Sequence, residues 1–254
     1  MTPDNSVPSL VLIHGGAHDA RCWDLVIDEI NDRAPYLRVL AVDLPGRPTS
    51  PAPPDALNAT SYADAVVAEI ERAGLGCVVV AAHSLGGLTA LRVVTKLGYP
   101  KVREVILIAA VTPPHGSSVV DTLPWPFAHF LRRTAMKAEA LLRVPPAAGR
   151  ALLWNGVPRH RSRYARTRLC REPAQILLEP ADHAGLPRET KRTWILTRRD
   201  RVVSQRRQLT YISGLGGIDT VLTLDTCHDV MYSEPSWLAQ LFIERCRHQT
   251  ADDS

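Results

Sequence analysis

Val78-Val-Val-Ala-Ala-His83-Ser84-Leu85-Gly86-Gly87 is the stretch of the 254-residue chain that decides the fold. Its run of small apolar residues predicts a buried strand, and the pattern over residues 85–97 predicts a helix directly after it. A serine on such a tight strand-to-helix turn needs small residues two positions away, because the helix and a neighbouring strand pass close by. Ala82 and Gly86 meet that demand. The stretch therefore predicts that Ser84 exposes its hydroxyl above a sheet edge; a plain turn with a capping serine is the alternative.

Short apolar runs alternate with helical patterns along most of the chain. Strands that are apolar on both faces and separated by helices are typical of a parallel sheet covered on both sides, so we predict an α/β fold with about six strands. We expect Ser61 to cap the second helix and Gly74 to stop it. The predicted strands are residues 9–13, 37–42, 77–82, 102–111, 194–196 and 221–224. The predicted helices are residues 22–30, 61–73, 85–97, 205–213 and 235–247.

The alternation breaks between residues 112 and 190, which we call the inserted segment. It is rich in proline, arginine and aromatic residues, and it has short helical patterns around residues 126–142, 147–155 and 161–169. It lacks a set of strands and a continuous core of its own, so we do not expect an independent domain. We predict one domain, with its core in residues 7–111 and 191–250 and the inserted segment as a helical cap over the carboxyl edge of the sheet.

A nucleophilic serine needs a base, and the base needs an acid that orients it. His228 follows the last predicted strand, and Asp200 follows the strand before it. The carboxyl ends of parallel strands lie at one edge of a sheet, so both side chains are expected near Ser84, and the chain order Ser, Asp, His fits this turn. The alternatives are a loop histidine without a catalytic role and an aspartate that only caps a turn.

The oxyanion of an acyl-transfer intermediate also needs two N–H donors. One candidate is the backbone N–H of Leu85, directly after the serine. The other is the backbone N–H of Gly16, in the loop that leaves the first strand, where glycine lets the backbone approach closely. A turn that merely uses glycine is the alternative for Gly16.

Five segments of the chain carry a resemblance to a known family: His14-Gly-Gly-Ala-His-Asp-Ala-Arg-Cys-Trp23, Asp43-Leu-Pro-Gly46, His83-Ser-Leu-Gly-Gly87, Arg199-Asp200-Arg201 and Cys227-His228-Asp229. Together they resemble the α/β-hydrolase superfamily, and within it the small serine esterases and hydroxynitrile lyases, a group that includes plant methyl esterases. The resemblance covers nearly the whole chain. It implies a catalytic triad of Ser84, His228 and Asp200, with N–H donors at Gly16 and Leu85 and a helical cap in the inserted segment.

Two departures from that group bear on the reaction. Ala82 stands where glycine is usual, which leaves the triad intact. Hydroxynitrile lyases have a threonine after the first-strand histidine and a lysine near the catalytic histidine, whereas Gly15 follows His14 here and the last lysine is Lys191. We therefore expect hydrolysis of a carboxylic ester of a small or medium-sized molecule through an acyl-enzyme. The alternatives are elimination, cyclisation or C–C bond cleavage at the same triad, and a non-catalytic ligand receptor.

The substrate-pocket candidates are histidines beside the predicted site and tryptophans of the inserted segment. Further apolar side chains of that segment either line the same pocket or pack it onto the core. The pocket candidates are His14, His83, Trp125 and Trp154, and the further apolar ones are Phe127, Phe130 and Leu153.

Composition excludes several classes of protein. A content of 45% hydrophobic and 22% charged residues is typical of globular proteins. The chain has no run of about 18 apolar residues that would predict a membrane span. The N-terminus does not resemble a secretory signal. A net charge of +4 is too small to indicate nucleic acid. The arginines crowded into residues 159–171 are best explained as a solvated helix face, with recognition of an anionic substrate group or of nucleic acid as alternatives. Five cysteines without a CxxC pair indicate neither a disulfide scaffold nor a cysteine zinc site, so we expect a cytoplasmic protein.

Neither a cofactor nor a metal is expected. His14 and His18 are four residues apart, but they lie on a strand exit and its loop and not on one helix face. The expected partner is a small-molecule ester, with no nucleic acid and no membrane, and a homodimer is left open.

Overall fold

The computed structural model describes residues 7–53, 56–136 and 140–251. The strands in chain order are β1 Ser9–Ile13, β2 Val39–Val42, β3 Val78–His83, β4 Val102–Ile108, β5 Leu141–Leu142, β6 Glu172–Pro173, β7 Lys191–Thr197 and β8 Thr220–Leu224. Six of them form one sheet in the order β2-β1-β3-β4-β7-β8, and every pairing in it is parallel. The predicted α/β fold with six strands is confirmed.

Helices cover both faces of this sheet. In chain order they are α1 Asp24–Arg33, α2 Ala59–Arg72, α3 Gly86–Leu97, α4 Trp125–Ala135, α5 Pro146–Ala148, α6 Arg159–Arg166, α7 Gln205–Gly214, α8 Val230–Ser233 and α9 Pro235–Ala251. Shorter turns of 3₁₀-helix are Ala20–Trp23, Val120–Thr122 and Ala174–Leu178, and Gly149–Leu153 is a π-helical turn. No helix in the described part of the chain is both long and apolar enough to cross a membrane.

The central strands divide the hydrophobic core into two layers. On β1, Val11 and Ile13 pack in the layer with α2 and α3, whereas Leu10 and Leu12 pack in the layer with α1 and α9. Successive side chains of a strand point to opposite faces, so a strand covered on both faces needs an unbroken apolar run. Each fully buried leucine or isoleucine in these layers contributes roughly 1.5–3 kcal/mol to folding.

The carboxyl ends of the six parallel strands lie at the same edge of the sheet. β3 ends at His83, β7 at Thr197 and β8 at Leu224, and β1 ends at Ile13, where a glycine-rich loop begins. Residues that follow these strands directly are therefore brought together from four distant parts of the chain.

The start of α2 differs from the prediction. Asn58 is the N-cap residue: its Oδ1 accepts the Ser61 N–H at 2.8 Å, and Ser61 Oγ accepts the Asn58 N–H at 3.0 Å. This reciprocal pair satisfies two amides that the first helical turn leaves without partners. Ser61 thus lies inside the first turn of the helix, and the prediction that it is the capping residue was wrong. Gly74, with φ +60°, follows the last turn as predicted.

The end of β4 also differs. The predicted strand 102–111 stops at Ile108, because Ala109 has a φ of +44° and turns the chain out of the sheet. Two residues later, the Val111 N–H donates to the carbonyl oxygen of Ser84 at 2.8 Å instead of to a strand. The chain that leaves β4 therefore braces the turn that holds Ser84.

The inserted segment contains a small antiparallel ribbon, contrary to the prediction that it has no strands. Leu141 lies opposite Pro173, and Leu142 lies opposite Glu172. Strands of two residues are too short to show alternation, and proline disfavours a strand, so the local sequence has no signal for this pair. The predicted helix 126–142 corresponds to α4 and ends at Ala135, and α6 ends at Arg166.

The five cysteines are free thiols, three of them buried. No disulfide crosses between the inserted segment and the sheet in the described residues. Packing, hydrogen bonds and ion pairs therefore hold the two parts together.

Candidate active site

Ser84 lies on the sharp turn between β3 and α3. Its φ is +50°, a conformation that non-glycine residues rarely adopt and that persists where the surrounding structure fixes it. The turn is held by the Ser84 N–H, which donates to the Ile108 carbonyl at 3.0 Å, and by the Ser84 carbonyl, which accepts from Gly87 at 3.0 Å. A Cβ on Gly86 would lie 2.6 Å from the carbonyl oxygen of His14, so a side chain does not fit there. Close packing thus requires a glycine at position 86, two residues after the serine.

Ser84, His228 and Asp200 form a continuous set of contacts. His228 Nε2 is 2.9 Å from Ser84 Oγ, and His228 Nδ1 is 2.7 Å from Asp200 Oδ2. The structure brings together the three residues that the sequence singles out, each from the loop after a different parallel strand. All three are buried, with 7% or less of their surface exposed. The arrangement is that of a nucleophile, a base and an orienting acid.

The two titratable partners stabilise each other's charge. Burial on its own lowers the pKa of His228, but the Asp200 carboxylate, through its charge and its hydrogen bond, raises that pKa overall. Burial on its own raises the pKa of Asp200, but the charge and hydrogen bond of His228 and the amides of Val203 and Val202 lower it overall. Asp200 is therefore a carboxylate at neutral pH, and it favours the protonated form of His228.

The predicted N–H donors, Gly16 and Leu85, lie side by side at the nucleophile. A Cβ on Gly16 would lie 2.5 Å from Leu85 Cδ1, so the two residues are in close contact and a larger residue at position 16 would require the leucine side chain to shift. In the part of the chain that the structure describes, neither backbone N–H donates to a protein acceptor. Both residues line the same cavity as Ser84 and His228. Two unused donors beside a nucleophile have the chemistry of an oxyanion site.

A buried ion pair supports the loop that contains Gly16. The next residue, Ala17, has a φ of +58°, and its N–H donates to Glu172 Oε2 at 2.8 Å. Arg47, whose side chain is fully buried, donates to the same oxygen at 2.5 Å and to the carbonyl of His18 at 2.7 Å. Sequence reasoning missed both residues. Arg47 directly follows the Asp43-Leu-Pro-Gly46 motif, which could have drawn attention to it, but Glu172 has no local signal.

A second buried ion pair lies on the opposite side, next to His228. Asp229 Oδ2 is 3.2 Å from His18 Nε2 and accepts the indole N–H of Trp154 at 2.6 Å. His18 Nδ1 donates to the carbonyl of Gly16 at 2.9 Å, so Nε2 donates to Asp229 when the ring is a cation. Burial opposes that charge, but Asp229 outweighs it and raises the pKa of His18. Burial likewise opposes the carboxylate, and His18 outweighs it, lowering the pKa of Asp229 to about 2.

His83 completes this cluster. Its Nε2 donates to the carbonyl of His228 at 3.0 Å, and burial, joined by the charge of His228, lowers the pKa of His83 to about 3. Ligand atoms of His18, His83 and Asp229 lie within 4.8 Å of one another, a donor set that could hold a metal ion. Three of their atoms have hydrogen-bond partners within the protein: His18 Nε2 bonds to Asp229 Oδ2, which also accepts from Trp154, and His83 Nε2 donates to the His228 carbonyl. Among the described residues, His83 Nδ1 and Asp229 Oδ1 are buried without a hydrogen-bond partner.

A cavity of about 440 Å³ lies over Ser84 and His228. Its wall is mostly apolar and comes largely from the inserted segment and from residues around α7. The lining includes Val111, Val119, Leu123, Phe127, Leu131, Leu142, Val144, Leu153, Leu177, Val202, Val203 and Tyr211.

The four pocket candidates do not line this cavity, which corrects that prediction. Trp125 is 79% exposed and stacks against the ring of His129, because the inward face of α4 carries Phe127 and Leu131. Trp154 is buried with its N–H bound to Asp229. His14 and His83 are buried behind the site: His14 Nε2 accepts the Leu44 N–H at 3.2 Å, which ties the loop after β1 to the loop after β2. Of the three further apolar candidates, Phe127 and Leu153 line the cavity, whereas Phe130 is exposed and does not.

The arginine-rich run 159–171 lies on and after α6. None of its arginines lines the cavity at Ser84. Arg161 donates to the carbonyl of Ser233 at 3.2 Å, and Arg168 lies 3.5 Å from Asp24 and 4.5 Å from the ring centroid of Tyr164. Part of the run therefore packs the inserted segment onto the core.

Comparisons with known proteins agree with this architecture. A family model described as the alpha/beta hydrolase family matches residues 10–241. Esterase Rv0045c of Mycobacterium tuberculosis is 35% identical over 109 residues, which are 42% of this chain and 34% of that protein, so the match spans about a third of the relative's length. An extracellular alpha/beta-hydrolase from a Paenibacillus species aligns with a TM-score of 0.77 at 19% identity, covering 93% of this chain and 98% of that chain. Methylesterase MES16 from Arabidopsis aligns with a TM-score of 0.74 at 18% identity, covering 95% of this chain and 100% of that chain. At these identities the structural likeness shows the fold alone.

Proposed function

The chain belongs to the alpha/beta hydrolase family, and on that basis we propose that it is a serine hydrolase that cleaves a carboxylic ester of a small or medium-sized molecule. The observation that carries the proposal is the unbroken set of contacts from Ser84 through His228 to Asp200 at the floor of an apolar cavity. The names esterase and methylesterase among the similar proteins support an ester as the bond that is cleaved.

In the proposed reaction, Ser84 Oγ attacks the ester carbonyl carbon while His228 Nε2 takes the hydroxyl proton. Asp200 accepts the Nδ1–H of His228, which fixes the tautomer and stabilises the imidazolium. His228 then gives its proton to the alcohol oxygen as the C–O bond breaks, which leaves an acyl group on Ser84. Water, deprotonated by His228, attacks this acyl-enzyme. His228 then gives that proton to Ser84 Oγ as the acyl bond breaks, which releases the carboxylic acid and the free serine.

Negative charge develops on the carbonyl oxygen in both halves of this reaction. The N–H groups of Gly16 and Leu85 are the proposed donors to that oxygen, and each such donor is worth about 10²–10³ in kcat. Because neither N–H is used elsewhere in the described structure, they are available when the charge forms. The route uses the side chains of this protein and water, without a cofactor.

Replacement of the nucleophile tests the proposal. Ser84→Ala should lower the hydrolysis of p-nitrophenyl butyrate by about 10³-fold or more. A fluorophosphonate should label Ser84 of the wild type, located by peptide mass spectrometry, and should not label the variant. Ser213→Ala, which removes an exposed hydroxyl of α7, is the matched control and should keep both activity and labelling. If Ser84→Ala hydrolysed p-nitrophenyl butyrate as fast as the wild type, the serine mechanism would be excluded.

A further inference from the structure

The charged side chains in the wall of the cavity are of two kinds. Glu172, His18 and His228 each have a buried partner, which is Arg47, Asp229 and Asp200 respectively. Arg143 and Arg207 also line the cavity. In the part of the chain that the structure describes, neither of these two guanidinium groups has a hydrogen bond or an ion pair. Two residues with cationic side chains therefore line the cavity, and neither forms an ion pair with a carboxylate of the described protein.

Both arginines interrupt apolar stretches of the wall. Arg143 lies between Leu142 and Val144, and all three line the cavity, directly after β5 of the inserted segment. Arg207 is half-buried in the first turn of α7, four residues before Tyr211, which lines the cavity as well. The two arginines thus line one cavity from separate parts of the chain. A few polar groups in an otherwise apolar pocket are what usually fixes the orientation and the class of a ligand.

A guanidinium group has a planar fork of donors that matches a carboxylate, and a charge-assisted hydrogen bond is about twice as strong as a neutral one. The apolar lining, by contrast, fits an uncharged aliphatic or aromatic body. We infer that the substrate is an ester with an apolar body and a carboxylate away from the scissile bond, and that Arg143 and Arg207 bind that carboxylate. This inference rests on the proposed function, because it names the class of ester that the Ser84 site takes.

The arginine-rich run 159–171 is not the source of this selectivity, since none of its members lines the cavity. Half-esters of dicarboxylic acids and esters of hydroxycarboxylic acids both have the required chemistry. They differ in whether the carboxylate is on the acyl or the alcohol side, so the test includes both.

The experiment compares matched esters with and without the carboxylate. On the acyl side the pair is mono-p-nitrophenyl adipate and p-nitrophenyl hexanoate, and on the alcohol side it is 4-carboxyphenyl butanoate and 4-methylphenyl butanoate. For at least one pair we expect the ratio of kcat/KM, carboxylate ester over neutral ester, to fall about tenfold in Arg207→Gln, mainly through KM. Arg143→Gln should lower the same ratio less, because Arg143 is more exposed. The ratio should stay at the wild-type value in Arg206→Gln, an exposed neighbour on α7 that does not line the cavity.

A binding measurement separates this inference from the proposed function. Ser84→Ala is titrated calorimetrically with monomethyl adipate and methyl hexanoate, with and without Arg207→Gln. If the carboxylate ester binds more tightly than the neutral ester, and Arg207→Gln abolishes that difference, the inference is supported even when the wild type hydrolyses no ester. Absence of ester hydrolysis would overturn the hydrolase proposal alone. If esters are hydrolysed but the kcat/KM ratio is the same in wild type, Arg143→Gln and Arg207→Gln for both pairs, the inference is wrong and the hydrolase stands.

Discussion

The two buried ion pairs beside Ser84 have similar surroundings but different chemistry. Arg47–Glu172 lies on the side of the Gly16 loop, and His18–Asp229 lies on the side of His228. Each pair connects the sheet edge to the inserted segment, the first through Glu172 itself and the second through Trp154. The guanidinium of Arg47 stays charged at every pH at which proteins fold, whereas His18 is a histidine whose charge depends on pH.

This difference assigns the pairs to different halves of the site. Glu172 accepts the Ala17 N–H, next to the proposed oxyanion donor, so the Arg47–Glu172 pair acts on the position of the loop. Asp229 is the residue after His228, and its charge is one of the causes that raise the pKa of His228. The titratable pair therefore acts on the protonation of the base. Substitutions in the Arg47–Glu172 pair should change the position of the Gly16 loop and the stability of the fold. Substitutions in the His18–Asp229 pair should change how activity and stability depend on pH.

The largest expected effect follows from breaking the Arg47–Glu172 pair. Arg47→Met leaves Glu172 buried without its cation, and removing one partner of a buried pair typically costs about 3–5 kcal/mol of unfolding free energy. Urea denaturation followed by circular dichroism measures this loss. The double variant Arg47→Met/Glu172→Gln has no uncompensated charge and should recover much of it. A loss below about 1 kcal/mol in Arg47→Met, the range of surface pairs, would show that this pair does not support the Gly16 loop.

A smaller effect is expected from the titratable pair. Asp229→Asn removes the carboxylate that holds the charge of His18 and leaves buried donors less well satisfied, at a cost of about 1–3 kcal/mol. The pKa of His228 should fall, because one of the charges that raise it is gone. Since the free base is needed for catalysis, the acid limb of the kcat/KM profile should move to lower pH.

Trp154→Phe is the matched control for that shift. It removes the indole N–H that donates to Asp229 but keeps the carboxylate. Its acid limb should therefore coincide with that of the wild type, while its stability falls. Identical acid limbs in Asp229→Asn and wild type would show that Asp229 does not set the protonation of His228.

The proposed triad was within reach of sequence reasoning because its members depend on local patterns. Ser84 follows an apolar strand and precedes a helix, and Asp200 and His228 each follow a strand of the same sheet. Once the strands are parallel, their carboxyl ends share an edge, and the three side chains converge without further information. Local apolar patterns likewise predicted the order of helices and strands in the core.

The supporting pairs were out of reach because they join residues far apart in the chain. Arg47 and Glu172 are 125 positions apart, and Glu172 lies in a two-residue strand that has no pattern of its own. The prediction of the residues that line the cavity was wrong for another reason. Trp125, Phe127 and Phe130 are all apolar, so the sequence could not decide which face of α4 turns inward, and the structure gives that face to Phe127.

The smallest expected effect is the pH dependence that separates the two pairs. In the folded protein Asp229 raises the pKa of His18, because its effect outweighs that of burial. The other titratable rings in this region are His228, His83 and His14. A raised pKa contributes stability that is fully present below the unfolded value of about 6.5 and is lost as the pH rises through the folded value. The stability deficit of His18→Gln relative to wild type should therefore shrink from about pH 6 to about pH 9, measured by urea unfolding. The deficit of Arg47→Met should not shrink over that interval, because Arg47 does not lose its charge. A His18→Gln deficit that stays constant or grows with pH would mean that His18 is neutral in the folded protein, and the distinction between the pairs would be lost.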